Sequence, residues 1–104
     1  MDTAALDWLP RFFSHLASER RLSPHTDSNY KRDLQRFVGY CRDQQLTAWR
    51  NIDSQHVRMF AAYEFRRGSS ARTIQRRLSA IRTFFNFLIR EAQLTSNPAL
   101  EVQA

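Results

Sequence analysis

The chain has 104 residues, a formal net charge of +6, and hydrophobic residues at 42% of positions. It is long enough for one small core and too apolar for a disordered tail. Its only cysteine, Cys41, excludes an internal disulfide and a cysteine metal site.

Two glycines, three prolines and no convincing alternating stretch predict an all-α chain. Nothing resembles a signal peptide and no apolar run approaches membrane-spanning length, so a cytoplasmic protein is expected. A basic surface on a domain this small points to an anionic partner. All but one of the sixteen cations are arginine, the exception being Lys31. Arginine forks onto phosphate or guanine and so suits DNA, but codon usage in a GC-rich genome would produce the same skew.

The first predicted helix covers residues 3–20, with a stripe of Leu6, Leu9, Phe13 and Leu16 joined by Trp8 and Phe12. Pro10 either kinks it or lies in the first turn of a helix that starts near Leu9. Ser23 and Pro24 then read as N-cap and first residue of a second helix running to about Gln44. Its apolar face is Tyr30, Leu34, Phe37, Val38 and Cys41. Its other side carries Ser28, Asn29, Arg32, Gln35, Arg36 and Arg42, a cationic face diluted by Asp27, Asp33 and Asp43. Tyr40 and Tyr63 read as flank positions.

Leu46 and Trp49 anchor the next loop. Asp53 is placed to cap a third helix, with Ile52 stapling onto Val57. Val57, Phe60, Ala61 and Phe65 are expected to face inward, and Gly68 to close the helix in a left-handed conformation. Ser69 and Ser70 introduce the fourth helix, which Asn97-Pro98 terminates. Leu100 and Val102 are expected to pack back as a short last turn. Four main helices with short connections imply a helical bundle.

The fourth helix separates into two arcs on a helical wheel. Ile74, Leu78, Ile81, Phe84, Phe85, Leu88 and Ile89 fill one; Arg72, Gln75, Arg76, Ser79, Thr83, Asn86 and Arg90 fill the other. From Arg66 to Arg90 there is no Asp or Glu. Ordinary solvated helices mix charge signs, so an acid-free face favours a polyanion. The capped N-terminus, with Ser69, Ser70, Arg72 and Arg76, reads as a phosphate clamp. Arg77 lies on the core side and is expected to snorkel or pair with an acid such as Glu91 or one from another helix. Arg82 borders both faces, and Phe87 lies off the main stripe.

No paired carboxylates, glycine-rich phosphate loop or metal-ligand spacing among His15, His25 and His56 supports catalysis. No catalytic residue, cofactor or metal is expected in this chain.

Leu22-Ser23-Pro24-His25-Thr26, followed by Tyr30 and Asp33-Leu34, resembles the start of the second helix in the N-terminal domain of phage-integrase-type tyrosine recombinases. Val57-Arg58-Met59-Phe60-Ala61, Gly68, the run Arg77–Phe85 and Asn97-Pro98-Ala99 are similar to the bacterial Xer recombinases. The spacing of Trp49, Asp53 and Val57 is nearer the XerC branch than XerD. The resemblance runs from about Leu9 to the end.

It implies a SAM-like core-binding domain over residues 1–104, forming half of a clamp around DNA, with a catalytic domain expected after position 104. That domain would cleave and rejoin strands through a 3′-phosphotyrosyl link. The implied partners are a double-stranded recombination half-site and a XerD-like recombinase on the adjoining half-site. The implied role is resolution of chromosome dimers before cell division. On this resemblance, Ser28, Asn29 and Arg32 of the second helix and Arg72 and Arg76 of the fourth meet DNA. Gln75 and Ser79 lie beside the arginine pair, and Ser69 and Ser70 hold backbone. Two other readings of the residues stand: a stand-alone helix-turn-helix-like regulator, and a helical protein-interaction module with an incidental basic surface.

Overall fold

The computed structural model describes residues 1–20 and 24–103, and among these there is no strand. The chain forms two compact units, Met1–Trp49 and Arg50–Ala104.

In the first unit Asp2 caps α1 (Thr3–Leu6), its carboxylate accepting from the Ala5 amide at 2.8 Å. Asp7 then separates α1 from α2 (Trp8–His15), which continues as one π-helical turn, Leu16–Arg20. The first expected helix is therefore divided. Pro10 is the third residue of α2, where its missing N–H has no acceptor inside the helix to lose. Phe12 and Leu16 are fully buried, whereas Phe13 is half-buried with the Lys31 ammonium 5.5 Å from its ring centre.

Helix α3 (Pro24–Asp43) begins at Pro24; the expected Ser23 cap lies outside the described residues. Leu34, Phe37, Val38 and Cys41 are buried, as their spacing predicts. Tyr40 is buried too, so it is a core residue and not a flank one. Asp33 is completely buried, and does not dilute the cationic surface as its position in the sequence suggests. Trp49 anchors the loop by donating its indole N–H to the Ala5 carbonyl at 2.7 Å, while the Asp2 amide donates to Thr47.

In the second unit Asp53 caps α4 (Ser54–Arg66). Its carboxylate accepts from the His56 amide at 3.0 Å, and the His56 ring nitrogen accepts from the Asp53 amide at 3.1 Å, closing a reciprocal capping box. Ile52 and Val57, at the staple positions, are both buried. So is Phe60, but Phe65 is not: it is 70% exposed, and its neighbour Glu64 takes the inward position instead. Residues 57, 60 and 64 follow the helical repeat i, i+3, i+7, and Phe65 falls one residue past it.

Helix α5 (Ala71–Arg90) supplies most of this unit's buried surface, through Ile74, Leu78, Ala80, Ile81, Phe84, Phe85, Phe87 and Leu88. Phe87, off the main stripe of the wheel, is buried as well. After α5 the chain turns back: Val102 and Ala99 are buried and Leu100 remains exposed.

Three helices end in the same way. After α3, α4 and α5 the residue in the left-handed region is Gln45 (φ 60°), Gly68 (φ 93°) and Ala92 (φ 59°). In each case its amide and the next one donate back to the last turn: Gln45 and Leu46 to Arg42 and Cys41, Gly68 and Ser69 to Phe65 and Glu64, Ala92 and Gln93 to Ile89 and Leu88. These paired bonds are the Schellman motif. Only one of the three uses glycine, the residue that adopts this conformation without steric cost.

Candidate nucleic-acid interface

The corner between α4 and α5 is fixed from within. Glu64, fully buried, receives the Arg77 guanidinium at 2.5 Å and the Ser69 hydroxyl at 3.1 Å, and Arg77 also donates to Ser69 at 3.2 Å. Arg77 thus pairs with an acid from another helix, one of the two outcomes expected for it, and contributes nothing to the outer face. Ser69 is directed inward: its hydroxyl and its amide both serve this corner. Ser70 is the N-cap of α5, its oxygen accepting from the Thr73 amide at 3.1 Å.

Beyond this corner Arg72, Gln75 and Arg76 are exposed and Ser79 is half-buried. Their spacing, i, i+3, i+4 and i+7, puts all four on one face over about two turns, or roughly 10 Å. An α-helix about 10–12 Å across fits the roughly 12 Å width of a DNA major groove. The donors on this face match that target: arginine can fork onto guanine or phosphate, glutamine onto adenine, and serine onto either. A cavity of about 490 Å³ lies alongside, lined by Gln75, Leu78, Ser79, Arg82, Val102 and Gln103.

Arg82, at the border of the two arcs, turns out to be structural. Its Nε donates to the Ala99 carbonyl at 3.2 Å and its Nη2 to the Val102 carbonyl at 3.0 Å. Asn97 completes the fastening, donating to the Arg82 carbonyl at 3.0 Å and accepting from the Ala99 amide at 2.9 Å. Four of the five arginines of α5 therefore divide by role, with Arg77 and Arg82 holding the fold and Arg72 and Arg76 exposed.

In the first unit Ser28 and Arg32 are exposed one turn apart on α3, with Asn29 half-buried between them. Gln35 and Arg36 continue the exposed face. With Asp33 buried, the described part of this face from Ser28 to Arg36 shows no carboxylate to solvent.

Comparison with known proteins gives these faces a context. Residues 9–92 match the phage integrase N-terminal SAM-like domain. The chain belongs to that family. It is 42% identical over 91 residues to the tyrosine recombinase XerC of Pseudomonas syringae pv. tomato, covering 88% of this chain and 30% of that protein. It is 45% identical over 93 residues to XerC of Alcanivorax borkumensis, covering 89% and 29%, and 40% identical over 96 residues to XerC of Vibrio atlanticus, covering 92% and 31%. The chain thus spans about a third of the length of these relatives. No solved structure matches it significantly.

The SAM-like match includes all nine candidate residues on α3, on α5 and at the α5 cap. Among the described residues no group of three or more His, Cys, Asp or Glu side chains is placed to hold a metal ion, and no helix is long and apolar enough to cross a membrane.

The contact of buried Glu64 with half-buried Ser69 and Arg77 is only partly foreseeable from the sequence. Glu64 falls on the inward stripe of α4 and Arg77 on that of α5, and opposite charges on two buried stripes separated by a short turn are a readable signal. The stacking of Arg67 on Tyr63, with the guanidinium carbon 5.4 Å from the ring centre and a 2.8 Å bond to the hydroxyl, had an i, i+4 spacing as its cue.

Proposed function

We propose that this chain is the DNA-gripping N-terminal domain of a XerC-like tyrosine recombinase. It holds a recombination half-site, while a catalytic domain following position 104 breaks and rejoins the strands. The observation that carries this reading is the outer face of α5 in a SAM-like integrase domain: Arg72, Gln75, Arg76 and Ser79 share one face of a helix that has no acid of its own and whose start is braced from inside. The relatives' names support the recombinase assignment, and their threefold greater length supports a further domain.

On this reading Arg72 and Arg76 make guanine or phosphate contacts, and Gln75 and Ser79 add hydrogen bonds beside them. Ser28, Asn29 and Arg32 contact the duplex from α3. Ser70 and Ser69 hold the start of α5, Ser69 from its inner side. The full protein acts in the cytoplasm with a XerD-like recombinase on the adjoining half-site, resolving chromosome dimers before division.

The test is a titration of duplex half-site and scrambled DNA across a salt series. If Arg32, Arg72 and Arg76 each neutralise one phosphate, log K falls against log salt with a slope of about −3. Arg72→Ala with Arg76→Ala reduces the slope by about 2 and leaves the thermal midpoint nearly unchanged. Salt-insensitive binding, or normal binding by the double variant, refutes the assignment.

A further inference from the structure

A second surface of the Arg50–Ala104 unit has chemistry unlike the α5 face. Phe65 is 70% exposed in the last turn of α4. It lines a cavity of about 470 Å³ with Ala61, Ala62, Ala71 and Ile74, and Arg58 and Arg66 also border it. The two arginines are eight residues apart on α4, about 12 Å along the axis. Gln103 completes the lining, so the charged side chains that border the groove are both arginines and none of its lining residues is an acid.

We propose that this groove docks an acidic amphipathic helix of a partner protein. An apolar floor with a large uncovered ring is the feature helix-in-groove recognition uses, the partner inserting residues at i, i+3 or i+4, and i+7. The arginines select a partner with carboxylates flanking that stripe, and long-range attraction would speed its encounter.

A duplex fits less well, because the floor offers a phenyl ring and alanine methyls where a phosphate backbone needs donors. A second copy of this chain also fits less well. It carries +6 itself, and its exposed, described carboxylates (Asp2, Asp7, Asp43, Asp53, Glu91 and Glu101) lie at helix ends or in turns and do not flank an apolar stripe.

The experiment uses two labelled sixteen-residue helical peptides with the same leucine stripe, one flanked by glutamates and one by lysines, titrated into the chain by fluorescence anisotropy. The glutamate peptide should bind at least tenfold more tightly. Phe65→Ala, an exposed substitution, should cost at least tenfold in that affinity without changing duplex binding. Arg58→Glu with Arg66→Glu should reverse the preference between the peptides. Equal affinity for the two peptides, or unchanged peptide binding in Phe65→Ala, overturns the proposal. Weakened duplex binding in Phe65→Ala assigns the groove to DNA, and loss of a concentration-dependent self-association assigns it to a second copy; either result also overturns it.

Discussion

Glu64 offers the sharpest test of how the α4–α5 corner is held. Its carboxylate is fully buried, and the Arg77 side chain that meets it is 15% exposed. Glu64→Ala removes the acceptor of Arg77 and of the Ser69 hydroxyl together, leaving a mostly desolvated guanidinium without its counter-charge. Breaking a buried pair from one side costs about 3–5 kcal/mol. The orphaned hydroxyl belongs to the same network, so its roughly 1 kcal/mol is not added in full. Against a typical total stability of about 5–15 kcal/mol for a small domain, that loss is severe.

Arg77→Ala, which takes this guanidinium away from the buried carboxylate, should cost about as much. Glu64→Leu with Arg77→Met should lose far less than the sum of the single losses, and replacing such pairs by apolar residues can even stabilise by about 1–4 kcal/mol. Urea denaturation of the wild type, Glu64→Leu, Arg77→Met and the double variant completes the double-mutant cycle. Single-variant losses below about 1 kcal/mol, or strict additivity in the double variant, would show that the pair is not a coupled buried contact and would refute the reasoning.

Other consequences are testable separately. Ala92→Gly and Gln45→Gly should each stabilise the chain by a few tenths to about 1 kcal/mol by relieving a left-handed residue that bears a Cβ, read as a raised urea midpoint; Gly68→Ala should destabilise it for the opposite reason. Burial pushes the Cys41 thiol up to about 12, so iodoacetamide at pH 8 should leave the folded chain unmodified and label it readily in urea; rapid labelling of the native protein would contradict its burial. The His56 amide donated to Asp53 holds that carboxyl below its ordinary value, so its capping contribution is complete above the unfolded value and fades as pH falls through the lowered one. The His56 amide shift in an NMR titration should follow that change below about pH 4 and lose it in Asp53→Ala.

Much of the helical plan was legible because it rests on local signals. Asp53, Gly68 and Ser70 mark ends through chemistry that belongs to single residues, and the stripe from Ile74 to Leu88 identifies α5. What escaped depends on tertiary partners. Phe65 looks like a core residue at four-residue spacing from Ala61, but the inward position belongs to Glu64 because Arg77 and Ser69 wait there to satisfy it. Asp33 looks like a surface charge until the packing encloses it.

Gln45 and Ala92 carry no signature of a left-handed residue, since only the backbone bonds they complete reveal it. For the α5 face, the wheel placed Arg72 and Arg76 outward and Arg77 inward. It left Arg82 undecided because that residue's partners, two main-chain carbonyls, leave no trace in side-chain composition.

The fastening of Arg82 sets limits on how this chain can drift. A guanidinium spans the carbonyls of Ala99 and Val102 with two nitrogens at fixed separation, and a lysine ammonium, a single point charge, cannot reproduce that fork. At Arg72 or Arg76 a lysine would keep a positive charge on the surface but lose the fork that guanine or phosphate receives. A cation that serves only as a surface charge has no such requirement. At position 82, at least, arginine is required by geometry and not by charge alone.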